Sequence, residues 1–250
     1  MLVTGAGGSI GSELCRQLAR FNPAELIMLD RDESALHEVQ LSIHGRALLN
    51  TPQTVLADIR DKETMRSIFA SRKPEVVFHA AALKHLPLLE TYPSEAFQTN
   101  VTGTLTLLEA AAEVGVGVFV NISTDKAANP ISVLGYSKRI AERITAQFGN
   151  TVSTGKYMSV RFGNVLGSRG SVLTSFRDQI ANGGPLTVTH RGVTRFFMTI
   201  SEAVQLVIQA GAIGKSGEAL VLDMGTPVSI FDVAKQLVAN SGKAIDIEIV

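Results

Sequence analysis

The sequence predicts an α/β chain built on a doubly wound parallel sheet, followed by a smaller C-terminal lobe. Three observations carry that expectation. Short β-branched apolar runs alternate with longer stretches of helical periodicity, the pattern of parallel βαβ units. A glycine triplet, Gly5, Gly8 and Gly11, stands between the first such run and the first helical stretch. Past Gly163 the regularity gives way to glycine-rich loops. In chain order the expected strands are 2–4, 26–30, 54–57, 76–79, 116–122 and 158–162, separated by helices near 9–20, 33–44, 61–71, 94–113 and 132–148. Pro93-Ser94 and Asn129-Pro130 read as start signals for the last two helices. Helices near 171–182, 201–213 and 229–240 follow, with short strands near 186–189 and 219–223. The expected division is a doubly wound domain over 1–165 and a smaller lobe over 166–250.

Composition narrows the function classes. The 250 residues carry 23 Lys+Arg against 23 Asp+Glu, so the net charge is zero, where a nucleic-acid binder needs a basic excess to neutralise phosphates. A hydrophobic fraction of 45% with 18% charged residues is enough for a buried core. One cysteine, Cys15, forms no internal disulfide, and His37, His44, His79, His85 and His190 show no ligand spacing, so no metal is expected and a reducing cytoplasm fits. Glu109 and Glu113 interrupt the most apolar helix short of a membrane span, and Met1–Thr4 reads as the end of a strand rather than a signal peptide. That abrupt start reads as a catalytic domain cut from a longer protein.

The stretch Thr4-Gly5-Ala6-Gly7-Gly8-Ser9-Ile10-Gly11 has its strand before it, its helix after it, and an acidic Asp30 at the end of the next strand. Together these form the fingerprint of a Rossmann-type dinucleotide site: glycines let the backbone approach a pyrophosphate, and the helix N-terminus, including Ser9 and Ile10, offers N–H groups to the anion. Asp30 suits the ribose hydroxyls of NAD, while the adjacent Arg31 keeps NADP open. Asp58-Ile59, after the third strand, is placed for the adenine, with a helix-capping role for Asp58 as the alternative. Ala80-Ala81-Ala82 offers small side chains where backbone lies against the cofactor.

The spacing of the glycines resembles the extended short-chain dehydrogenase/reductase superfamily. Four further stretches, His79–His85, Ser123–Pro130, Arg161–Ser168 and Thr194–Thr199, resemble its UDP-N-acetylglucosamine 4,6-dehydratases of polysaccharide and glycan biosynthesis. Ser123-Thr124-Asp125-Lys126 follows the fifth strand and so lies at the carboxyl edge of the sheet, where ligands bind. The resemblance implies that Lys126 is the base for the sugar C5 proton, Asp125 the acid for the departing C6 hydroxyl, and Thr124 the partner of the sugar near C4. It implies further that Lys138 grips the nicotinamide ribose and that Lys84, Asn100 and Asn164 lie at the substrate, Asn100 as an amide that orders backbone and water near the catalytic lysine. Arg169 and Arg195 are expected to pair with its diphosphate, and Ser171, Val172, Phe176, Thr187 and Val188 to line the nucleotide. A buried satisfied amide is the alternative for Asn100 and Asn164, and core packing for the apolar residues. The superfamily's Tyr-x-x-x-Lys pair is broken: Leu134 stands four residues before Lys138, and Tyr136, about 200° round a helix from Lys138, is no substitute. An apolar residue there implies the membrane-anchored, C5-retaining subclass. The resemblance also implies a homo-oligomer, and a family segment beyond residue 250 that completes the substrate pocket.

Two other functions stay open. A UDP-sugar 4-epimerase shares the fold and C4 oxidation but needs the tyrosine that Leu134 replaces. A non-catalytic cofactor-binding module would account for Leu134 but not for Thr124-Asp125-Lys126. The N-acetyl group of the substrate rests on the resemblance alone.

Overall fold

The computed structural model describes residues 1–46, 51–168 and 170–250. The first half alternates β1 (Leu2–Thr4), α1 (Ser9–Ala19), β2 (Ile27–Asp30), α2 (Glu33–His44), β3 (Thr54–Leu56), α3 (Lys62–Arg72) and β4 (Val76–His79). Then come α4 (Leu86–Thr91), α5 (Pro93–Ala96), a π-helical stretch over Phe97–Thr102, α6 (Gly103–Val114), β5 (Val118–Thr124), α7 (Val133–Thr151) and β6 (Lys156–Phe162). The remainder is β7 (Asn164–Leu166), α8 (Val172–Ala181), β8 (Leu186–Val188), β9 (Thr194–Arg195), β10 (Phe197–Thr199), α9 (Ile200–Ile213), β11 (Ala219–Val221), β12 (Val228–Ser229), α10 (Ile230–Ser241) and β13 (Ile247–Ile249).

Seven parallel strands form the main sheet in the order β11-β6-β5-β4-β1-β2-β3. This is the doubly wound arrangement the sequence predicts, with one strand added at the β6 edge. The order reverses between β1 and β4, and ligands of such sheets bind outside the carboxyl ends of the strands at that reversal. The core beneath is apolar and continuous, running from Leu2, Leu29 and Val77 on the strands to Met65, Phe69, Leu107 and Ala111 on α3 and α6.

Local chemistry sets the element ends. Asp32, Asp61 and Ser132 cap α2, α3 and α7 by accepting from the backbone N–H of Ala35, Thr64 and Gly135. The cap of α7 thus lies at Ser132, two residues beyond the expected Asn129-Pro130. The expected helix over 94–113 is broken by the π-helical stretch that carries Asn100. The expected strand over 116–122 is displaced to Val118–Thr124. Gly115 turns left-handed (φ 75°), and the N–H groups of Gly115 and Val116 close on the carbonyls of Ala112 and Ala111. This is a Schellman cap, so the buried Val116 serves the end of α6 instead of opening the strand. Helix α4 and strands β7, β9, β10, β12 and β13 are short elements that the sequence reading did not anticipate.

The chain divides into two compact units, each contributed by two segments. The larger comprises Met1–Phe162 and Val204–Leu222, the smaller Gly163–Ala203 and Asp223–Val250. The smaller has its own core of Phe176, Leu186, Val188, Ile230 and Ala234.

Candidate active site

The loop after β1 is built for close approach. Gly5 is left-handed (φ 68°), and a Cβ there would lie 2.5 Å from the Ala81 nitrogen. A Cβ on Gly11 would lie 1.9 Å from the Gly5 carbonyl oxygen, so helix α1 abuts the loop directly. Gly7, which the triplet passes over, is equally constrained: a Cβ there would lie 2.3 Å from Ala35 Cβ, and its N–H donates to Asp30 Oδ2 at 2.8 Å. Gly8 differs. It is exposed, it begins α1 with no side-chain cap, and a Cβ on it would meet only the Gly5 oxygen, at 3.2 Å. The open backbone at an uncapped helix start fits a diphosphate. Asp30 Oδ1 also accepts from the Asp32 N–H at 3.1 Å, so backbone on both sides fixes the carboxylate beside the glycine loop.

At the carboxyl end of β5 the chain turns through a short 3₁₀ segment, Asp125–Ala127. Asp125 Oδ1 accepts three bonds there: from Thr124 Oγ1 at 2.8 Å, Lys126 N at 2.9 Å and Lys126 Nζ at 3.0 Å. All three side chains are partly exposed. The sequence-predicted acid and base therefore stand in direct contact.

Helix α7 presents Leu134, Lys138 and Glu142 at intervals of four, one face of a helix, and all three are buried. Leu134 packs with Leu89 and Ala96, whereas Tyr136 is exposed, on the other side as its position in the helix requires. Lys138 is 6% exposed, and its ammonium hydrogen-bonds no group among the described residues. Burial pulls its pKa down to about 8, against the upward pull of Glu142. A buried amine with no acceptor among the described residues is available to an oxygen of a bound ligand.

The Glu142 carboxylate is buried and held by three side chains. Its Oε1 accepts from Ser123 Oγ at 2.6 Å and Arg161 Nε at 2.7 Å, and its Oε2 from Arg161 Nη2 at 2.6 Å and Arg139 Nη1 at 3.3 Å. Burial works to raise its pKa, but the bonds from Arg161 and Ser123 outweigh it and hold the carboxyl below the usual range. Spacing along the sequence gave no sign of this cluster.

A second buried network ties β1, β4 and the π-helical stretch. Thr104 Oγ1 donates its one proton to the Asn100 carbonyl at 2.7 Å, so it accepts from His79 Nε2 at 2.9 Å. His79 Nδ1 then accepts from Thr4 Oγ1 at 2.7 Å. Burial, aided by the charge of Lys138, pushes the His79 pKa down to about 3 and keeps the ring neutral. The Asn100 side chain accepts from Leu83 N–H and donates to Leu83 C=O and Ser137 Oγ.

Several expected contacts are corrected by this geometry. Asn100 is fully buried with its amide spent on Leu83 and Ser137, so it positions backbone and does not face a substrate. The Ile59 side chain is packed in the core against Gly103. Asp58 does not cap α3, a task taken by Asp61; its carboxylate is gripped by the Arg60 guanidinium at 2.7 Å, with Arg31 at 3.7 Å. Ala80 and Ala81 do lie against the glycine loop, and Lys84 stays exposed. In the smaller unit, Val188 and Phe176 are core residues, with Val172 packed against that core. Thr187 is tied to Gln179 through its N–H and hydroxyl, while Arg195 is exposed on β9 with its guanidinium on the Thr194 carbonyl. Ser171 precedes α8 and Asn164 opens β7. Arg169 lies outside the described residues. Among the described residues no three His, Cys, Asp or Glu side chains gather to hold a metal, and no helix is long and apolar enough to cross a membrane.

The family described as polysaccharide biosynthesis protein matches residues 1–250. The chain is 51% identical to the probable polysaccharide biosynthesis protein EpsC of Bacillus subtilis (strain 168), over 97% of this chain and 40% of that protein. It is 49% identical to the capsular polysaccharide biosynthesis protein CapD of Staphylococcus aureus, over 97% and 41%. It thus spans about two fifths of the length of these relatives. A UDP-glucose 4-epimerase of Rickettsia akari is 34% identical over 93% of this chain and 68% of the epimerase. Among solved structures, Pen from Bacillus thuringiensis superposes with a TM-score of 0.90 at 31% identity, covering 100% of this chain and 77% of Pen. The fold is shared at 23% identity with DesIV, a dTDP-glucose 4,6-dehydratase from Streptomyces venezuelae solved with NAD, at a TM-score of 0.85 over 99% of this chain and 84% of DesIV.

Proposed function

Because the chain belongs along its whole length to the polysaccharide biosynthesis protein family, we propose that it is an NAD-dependent nucleotide-sugar 4,6-dehydratase. Its proposed substrate is UDP-N-acetylglucosamine, its product the UDP-4-keto-6-deoxy sugar, and its setting the assembly of surface polysaccharide or glycan. The observation that carries this reading is the Asp125–Lys126 pair at the carboxyl end of β5, joined by Thr124, with an apolar Leu134 where a tyrosine acid–base would stand.

The Gly5–Gly11 loop would hold the cofactor diphosphate, Asp30 the adenosine ribose hydroxyls, and Lys138 the nicotinamide ribose. Bound there, NAD would take a hydride from C4 and return it to C6. Thr124 would hold the oxygen at C4. Lys126, as the free amine, would remove the C5 proton made acidic by the C4 ketone, and Asp125, as the acid, would give its proton to the departing C6 hydroxyl. The protons would balance over a turnover: the one the C4 hydroxyl loses on oxidation and the one Lys126 takes from C5 are matched by the one Asp125 gives to the departing hydroxyl and the one Lys126 returns to C5 after hydride reaches C6. The C4 proton, relayed through the Thr124 hydroxyl to Asp125 across their 2.8 Å contact, would charge the acid. The partly exposed Lys126 would exchange its proton with solvent before returning it, which carries deuterium to C5 in D₂O.

Lys84, Asn164, Ser171, Thr187 and Arg195 are the side chains proposed for the sugar and its nucleotide. We read the protein as the cytoplasmic catalytic part of a membrane-anchored, C5-retaining homo-oligomer. The test is proton NMR of UDP-N-acetylglucosamine with NAD in D₂O. The expected result is a new C6 methyl signal with deuterium at C5, abolished in Lys126→Ala while NAD binding survives. The similarity to a UDP-glucose 4-epimerase favours one rival: a C4 epimer forming at the same rate in wild type and Lys126→Ala would establish epimerisation and end the dehydratase reading.

A further inference from the structure

We propose that Glu142 is a positioning residue whose buried carboxylate, fixed by Arg161, sets the reacting turn through its hydrogen bond to Ser123. The inference rests on the reading of Thr124, Asp125 and Lys126 as the reacting groups. Ser123 and Arg161 stand directly opposite each other in the parallel β5–β6 ladder, so their side chains emerge together on the face covered by α7. Glu142 meets both from α7, one turn beyond Lys138. The pair is closed to water: the Glu142 side chain is 3% exposed and that of Arg161 12%. Arg161 binds it through both Nε and Nη2, a forked contact that fixes the carboxylate in orientation as well as position. The lone pair left on Oε1 takes the Ser123 hydroxyl at 2.6 Å.

The consequence falls on the next residue. Ser123 is the last buried residue of β5, and Thr124, Asp125 and Lys126 after it are all partly exposed. The chain therefore passes from buried to partly exposed within one peptide. Without the Ser123 bond, the end of β5 would keep its pairing with β6 and the bonds within the turn but lose its tie to Glu142. The charge of Glu142 also acts on the buried Lys138 ammonium, so one group bears on both the proposed acid–base turn and the proposed ribose lysine.

The variant that separates this from a general need for the ion pair is Ser123→Ala, which removes the link and leaves Glu142 and Arg161 bound to each other. Hydrogen exchange of the whole chain is expected to quicken about tenfold or more at Thr124–Lys126, the factor that one hydrogen bond to a charged group carries, with β6 and α7 unchanged. Dehydratase turnover should fall by a similar factor while the NAD dissociation constant stays fixed, and Ser123→Thr, which keeps the hydroxyl, should recover most of the loss. Unchanged exchange at Thr124–Lys126 in Ser123→Ala overturns the proposal, as does loosening spread evenly over β5, β6 and α7. If wild type forms no methyl product, the activity reading fails, and the exchange experiment still decides the role of Glu142.

Discussion

The side-chain amide of Asn100 grips both polar groups of one residue, accepting from the Leu83 N–H at 2.8 Å and donating to the Leu83 carbonyl at 3.0 Å. An amide paired in this way mimics a strand neighbour, and it holds the loop after β4 where Ala81 backs the glycine turn. Asn100→Ala removes the partner of both Leu83 groups and of Ser137, and should cost about 2–4 kcal/mol of stability. Urea unfolding of wild type and variant, monitored by circular dichroism, measures the difference. A loss below a few tenths of a kcal/mol would mean that water replaces the amide.

Lys138 trades stability for its position. Its pKa lies at about 8 in the folded chain and near 10.5 once unfolded, so below pH 8 the fold bears a buried charge that the unfolded chain keeps in water. Lys138→Met should stabilise the protein by about 3 kcal/mol at pH 7 while weakening NAD binding. Between pH 8 and 10.5 the unfolded state binds the extra proton, so wild-type stability rises with pH relative to the variant. Melting curves at pH 7 and pH 10 give both numbers.

His79 acts in the acid range. Its folded pKa of about 3 lies below the ordinary 6.5, so the unfolded chain takes up the proton first as pH falls. The contribution of His79 is whole above pH 6.5 and is lost progressively towards pH 3, by as much as about 5 kcal/mol. Unfolding midpoints of wild type and His79→Gln, compared from pH 7 to pH 4, should converge as the pH falls. Parallel curves would show that the ring is protonated in the fold.

The glycines of the first loop separate folding from binding. Gly11→Ala drives a methyl group into the Gly5 carbonyl and should lower stability and cofactor affinity together. Gly8→Ala meets only one oxygen at 3.2 Å, so the chain should fold while its NAD dissociation constant rises about tenfold or more. Fluorescence titration with NADH, beside a melting curve, reads both effects.

How much of this was legible depends on how local the cause is. The glycine loop, Asp30 and the β5 turn were readable because each is a short run whose chemistry lies in consecutive residues. The strand at Val116 was misread because an apolar residue after a glycine serves a helix cap as well as it opens a strand. Asn100 was read at the substrate as an amide that orders backbone and water, or is simply satisfied in the interior, but no pattern within one helix names its partner Leu83, seventeen residues earlier. Glu142 drew no reading in the sequence and Arg161 only opened a family stretch; the register of β5 against β6 sets Arg161 beside Ser123, and α7 brings Glu142 to both. Asp58 was read as meeting the adenine or capping a helix, and in the structure its carboxylate is taken by its neighbour Arg60.

Strand β11 gives the protein a timetable for synthesis. It completes the sheet by pairing with β6, yet it is made only after the excursion from Gly163 to Ala203. At ~5–20 residues per second, the ribosome needs roughly 3–12 s to pass from Phe162 to Leu222. Through that interval β6 stands as an open edge with unpaired backbone groups, the kind of surface on which nascent chains join one another. The step most exposed to aggregation is therefore the wait for the seventh strand, and a chaperone that shields β6 during those seconds would raise the yield of folded protein.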